Sequence, residues 1–221
     1  MKNKILIICT LIFIFFIYLQ RNYVNRYNND IEIFQMENPN KKQFENQVDE
    51  SYPSIFTNVS QNFKAIQEYS LASLVSMEPK EKKKLEVNIK KHFKYYHVPL
   101  LSKGEIRIQS EVQNSSNTVT RQSNYRFCLT QLKGVKKVYL FAPKNKKFLY
   151  AKKNKSQIDF FTSNLLDYPN LSETKYIEVI LYPGQMLYIP YNWWYNYQNT
   201  EDSMTVYQHS ESIFSKYLLK R

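Results

Sequence analysis

Only 3 glycines occur among 221 residues, and their positions constrain the fold more than any other feature. A chain so poor in glycine places one where the backbone needs a conformation that a Cβ disfavours. From Gly104 onward the pattern turns to strands. Ile106 and Ile108 alternate with polar residues, and Val112 resumes the series after Ser110 breaks it. Tyr125 to Thr130 and Val138 to Ala142 flank the turn at Lys133-Gly134. Tyr176 to Leu181 and Met186 to Ile189 flank Pro183-Gly184, the residue order of a type II turn. Phe148 to Ala151, Trp193 to Tyr197 and Met204 to Gln208 read as further strands, with a short helix over Asp159 to Leu166. Many short strands joined by turns predict a jelly roll or barrel. The 19 Tyr and 14 Phe supply enough apolar surface to fill one.

The first half reads differently. Pro79 to Tyr96 has helical spacing, with Leu85, Ile89, Phe93 and Tyr96 on one face and His92 at its border. Val98 before Pro99 ends that helix. Residues 54–77 have mixed helical character, and residues 21–50 are polar, Asn-rich and aperiodic, the composition of a spacer. Ile5 to Leu19 is an uncharged run of 15 residues between Lys4 and Arg21. No small-x-small cleavage site follows it, so the expectation is an uncleaved, single-pass membrane anchor. The run is short for a hydrocarbon core of roughly 30 Å, and snorkelling by Lys4 and Arg21 is the expected remedy. The expected organisation is therefore an anchor over 1–20, a linker over 21–50, a helical lead-in over 51–103 and a β domain over 104–221.

Formal net charge is +12, with lysines concentrated at Lys80–Lys94, Lys133–Lys137 and Lys144–Lys155. No zinc-finger or RNP-type motif accompanies them, which argues against specific nucleic-acid recognition. Solvated faces, an anionic membrane surface or a protein partner are the remaining expectations. Cys9 and Cys128 are too differently placed to suggest a disulfide.

Four stretches, in order, resemble the cupin-like JmjC hydroxylases, especially their asparaginyl-hydroxylase branch. They are Gln131-Leu132-Lys133-Gly134-Val135-Lys136 running on to Leu140-Phe141-Ala142-Pro143; Ser156-Gln157-Ile158-Asp159-Phe160 with Tyr168-Pro169-Asn170; Pro183-Gly184-Gln185-Met186-Leu187-Tyr188-Ile189-Pro190; and Trp193-Trp194-Tyr195. The resemblance implies a mainly β fold: a cupin jelly roll, or double-stranded β-helix, with α-helices before it and, here, an N-terminal transmembrane helix. It also implies Fe(II) held by a His-x-Asp…His triad, with 2-oxoglutarate as co-substrate.

The family's spacing puts the three ligand positions at Arg121, Ser123 and Tyr195. None is a usual ligand, since Arg stays protonated and offers no lone pair. No His, Asp or Glu occurs from Val112 to Ile158 or from Val179 to Thr200, so a small shift in register restores no triad. Lys136 falls where the family's lysine meets the 2-oxoglutarate carboxylate, and Thr118 at another co-substrate position. Thr118, Arg121 and Lys136 are thus candidates for an anion pocket. Trp193 and Trp194 also read simply as core, and His209 as structural. The function expected is a non-catalytic, membrane-held binding or scaffold module that needs no cofactor. The alternatives are an active Fe(II)/2-oxoglutarate protein hydroxylase and a small dicarboxylate sensor.

Overall fold

The computed structural model describes residues 2–25, 28–59, 73, 76–92 and 102–212. Helix α1 spans Lys2–Asn25. Strand β1 (Phe34–Glu37), helix α2 (Lys41–Asp49), strand β2 (Ser54–Thr57) and helix α3 (Pro79–His92) follow. The β domain then runs through β3 (Ser102–Glu111), β4 (Thr120–Arg121), β5 (Arg126–Lys133), β6 (Lys136–Phe141), β7 (Ala151–Lys152) and β8 (Lys155–Ser156). It closes with β9 (Ile177–Leu181), β10 (Met186–Tyr188), β11 (Trp194–Asn199) and β12 (Ser203–Ser212).

Two sheets of six strands form, ordered β1-β2-β10-β5-β12-β3 and β7-β8-β4-β11-β6-β9. All their strand pairs are antiparallel except β1 with β2. This is a mainly β, jelly-roll arrangement. Three clusters of buried side chains account for its packing. The inner cluster between the sheets takes Phe127, Leu129, Val138, Leu140, Val179, Leu187 and Trp193. Outside the first sheet, Phe44 and Val48 of α2 and Leu85 of α3 cover Cys128, Met186 and Val206. Outside the second, Leu149, Ile158 and Leu171 cover Phe141 and Trp194. The Trp pair divides where β11 begins, Trp193 to the inner cluster and Trp194 to an outer one.

Several expectations change. Among the described residues no helix is long and apolar enough to cross a membrane, which overturns the single-pass anchor at Ile5–Leu19. The physical reason is length. Helix α1 is 24 residues long, but at 1.5 Å per residue its uncharged run covers only about 22 Å. The hydrocarbon core needs roughly 30 Å.

The spacer expected over 21–50 is folded in its second half: β1 pairs with β2, and Asn40 caps α2 in a reciprocal capping box with Gln43. Phe44 and Val48, four residues apart, then face inward together. Within the lead-in, Ser54–Thr57 is a strand paired to β10. The expected helical positions at residues 60–72, together with Phe93, Tyr96 and the Val98-Pro99 stop, lie outside the described residues. Residues 143–148 and 165–167 form 3₁₀ turns, where a strand start at Phe148 and the end of a short helix were expected.

Both expected turns need their glycine. Gly184 has φ +90°, and Gln185 N donates to Tyr182 O across the turn at 3.1 Å. Gly134 has φ +69°, and a Cβ there would lie 2.4 Å from Asp202 O. Gly134→Ala therefore combines an unfavourable backbone conformation with a backbone clash. It is expected to lose at least about 1–3 kcal/mol, seen as a lower urea midpoint, whereas Ala at exposed Ser172 should change it little.

Candidate functional site

Strand alternation decides which side chains meet inside the barrel. On β6, Lys136, Val138 and Leu140 face inward. Their β11 partners are Asn199, Tyr197 and Tyr195, and Tyr207 approaches from β12. Lys136 is fully buried. Its Nζ donates to the carboxylate of Glu111 at the end of β3 and to Tyr207 Oη at 3.0 Å. It also lies 4.0 Å from the Tyr197 ring centre and 5.3 Å from that of Tyr207. Tyr197 Oη donates to Glu111 at 2.8 Å and Tyr207 Oη at 3.0 Å. Asn199 Nδ2 adds a longer contact to Glu111 and donates to Ser115 Oγ, while Ser203 Oγ donates to Asn199 Oδ1.

The electrostatics follow from this cage. Burial pulls the Lys136 ammonium down to about 8, against the opposing pull of Glu111. Burial would raise Glu111, but the charge of Lys136 and the hydrogen bonds from Lys136, Tyr197 and Tyr207 hold it below the usual carboxylate range. Burial, reinforced by the Glu111 charge, pushes Tyr197 and Tyr207 upward, so both stay protonated donors. A buried cation is thereby balanced by a carboxylate, hydroxyls and two aromatic faces.

Residues 112–209 match the family model described as a cupin-like domain. The chain carries a cupin-like domain. It is 34% identical over 83 residues to lysine-specific demethylase 8 of Danio rerio, covering 35% of this chain and 20% of that protein. It is 30% identical over 132 residues to tRNA wybutosine-synthesizing protein 5 of Danio rerio, covering 58% of this chain and 40% of the relative. The human protein of that name is 34% identical over 91 residues, covering 41% and 27%. The chain thus spans well under half the length of these relatives.

Within the cupin-like domain, the residues singled out from sequence do not converge. Arg121 pairs with Trp194, and Thr120 with Tyr195. Arg121 therefore shares the outer face of its sheet with Trp194, while Tyr195 points inward beside Phe127 at 5.4 Å between ring centres. Ser123 is half-buried in the β4–β5 connection, and Thr118 is exposed. Arg121 and Lys136 lie on opposite faces of one sheet, so no single pocket of Thr118, Arg121 and Lys136 forms. The reason is a one-residue difference in which face β4 presents, and such a slip moves every side chain to the other side.

The Fe(II) and 2-oxoglutarate implied by the resemblance do not fit this residue set. Among the described residues no group of three His, Cys, Asp or Glu side chains could hold a metal ion. Burial pushes the Tyr195 phenol up to about 12, which keeps it from serving as a phenolate donor. Where a co-substrate carboxylate would meet Lys136, Glu111 already does.

Sequence reasoning missed Glu111, Tyr197 and Tyr207. A faint signal existed: Glu105, Arg107, Gln109 and Glu111 alternate with Ile106 and Ile108, so they line the other face of β3. Glu111→Gln leaves the Lys136 ammonium without its counter-charge and is expected to lose about 3–5 kcal/mol in urea unfolding. Adding Lys136→Met should recover most of that loss. The folded-state pKa of Glu111 lies below its unfolded value. Its contribution is therefore complete above the unfolded pKa and is lost as pH falls through the folded one. Between pH 6 and pH 3, the wild-type urea midpoint should fall more than that of Glu111→Gln.

Proposed function

We propose that this chain is a non-catalytic member of the JmjC-type cupins, acting as a binding or scaffold module. The observation that carries the reading is the contact of Glu111 with Lys136. A carboxylate of the chain itself satisfies the buried lysine that would otherwise meet a co-substrate acid. The residues at the three positions where the resemblance implies metal ligands support the same reading: Arg121 faces outward, Ser123 is a weak neutral donor, and Tyr195 is a buried neutral phenol. The similarity to the asparaginyl-hydroxylase branch, in Pro183-Gly184 through Trp193-Trp194, bears on how the framework arose. A framework of this kind persists after its chemistry is gone. The demethylase and the tRNA-modification protein among the relatives are named for activities, and an active hydroxylase is accordingly the competing reading.

The test is iron loading of the full chain followed by 2-oxoglutarate turnover. The expected result is iron far below one equivalent and no succinate above a protein-free control. One equivalent of iron with steady succinate release would overturn the proposal.

A further inference from the structure

The outer face of the second sheet carries a cavity that the interior network does not use. It measures about 320 Å³, at the lower end of the roughly 300–1,000 Å³ common for small-molecule sites. Arg121, Lys144 and Lys146 line it, together with Asn29, Asn192 and Trp194. Three cations thus surround one space, and no carboxylate lines it. Among the described residues none of the three forms an ion pair. Three other basic groups of the barrel have carboxylate partners, Lys136 with Glu111, Arg126 with Glu45 and Lys137 with Glu178.

Arg121 is the most telling member. Its Nε is buried and has no hydrogen-bond partner. A buried donor left unsatisfied is destabilising, and more so when it is charged. The local backbone explains why the arginine stays there. Arg121 N donates to Asn154 O at 2.8 Å, Gln122 N to Trp193 O at 2.7 Å, and Asn192 N to Gln122 O at 2.9 Å. These bonds fix β4 against Asn154 and the segment before β11 and keep Arg121 in register with Trp194, with both side chains lining the cavity. Lys144 and Lys146 are exposed on the turn that follows Pro143. That turn is fastened by the bond from Lys144 N to Asn29 Oδ1 at 3.0 Å. One rigid guanidinium and two mobile ammonium groups suit an oxyanion that presents several acceptor oxygens.

We propose that this cavity binds the phosphate group of a small molecule, with Arg121 as the anchoring donor and Lys144 and Lys146 closing over the anion. The site lies on the opposite face of the sheet from Lys136, so it stands or falls separately from the loss of catalysis.

The test is calorimetric titration of the full chain at low ionic strength with inorganic phosphate and with glycerol 3-phosphate, and with glycerol as the uncharged control. Saturable binding of a phosphate compound is expected, weakened at least tenfold by Arg121→Gln. Because that change could perturb β4, the exposed pair Lys144→Gln/Lys146→Gln is the second variant, and it should weaken binding several-fold while circular dichroism stays unchanged. Lys147→Gln, outside the cavity, should leave affinity as it is. Tighter binding of the monoester would assign the site to a phosphorylated metabolite, and equal binding to free phosphate; either supports the proposal. No saturable heat with either compound would overturn it, as would affinity that both cavity variants retain or that Lys147→Gln reduces equally.

Discussion

One buried lysine organises this barrel. Lys136 opens β6 in one sheet, Glu111 ends β3 in the other, and Tyr207 and Tyr197 reach the pair from each side. The cluster therefore joins the two sheets by polar contacts at one end of an otherwise apolar interior. Its arrangement is all or none. A lysine ammonium is tolerated at full burial only while its counter-charge and hydroxyls are in place, and removing one partner leaves an uncompensated charge. The turn at Gly134, two residues before Lys136, belongs to the same end. Gln131 Nε2 donates to the carbonyls of Lys133 and Gly134, while Thr205 Oγ1 donates to Gln131 Oε1. The close approach of Gly134 to Asp202 thus places β6 and β12 where Lys136 and Tyr207 can meet.

This constraint also links fold to function. A cationic interior position in a jelly roll can receive an acid from solution or from the chain. Here it receives the chain's own. The three positions at which the resemblance implies metal ligands are dispersed, with Arg121 on the outside, Ser123 in a connection and Tyr195 inside as a neutral phenol. The cationic character of this face is turned outward, to the cavity lined by Arg121, Lys144 and Lys146.

Much of the β architecture was legible in the sequence, because strand period and turn chemistry are local. Gly134 and Gly184 sit in the turns their neighbours announce. Trp193 and Trp194, read as core, are both buried. What was not legible depends on contacts between distant residues or on very short elements. Phe44 and Val48 lie in a polar stretch whose helix spans 9 residues, too short for periodicity to stand out. Glu111 is 25 residues from Lys136 and 96 from Tyr207, so only the closed barrel joins them. Strand β4 has two residues, and no pattern that brief reveals which face Arg121 takes. The uncharged N-terminal run looked like an anchor from composition, whereas its length as a helix argues the other way.

The proposed loss of catalysis requires Glu111 to hold the place of an external acid at Lys136. The most direct test is calorimetric titration of 2-oxoglutarate into the full-length chain and into its Glu111→Gln variant. No saturable heat is expected with the wild-type chain up to millimolar ligand, and weak binding should appear only once Glu111 is neutralised. Saturable binding to the wild-type chain, undiminished by Lys136→Met and unaffected by Glu111→Gln, would contradict it.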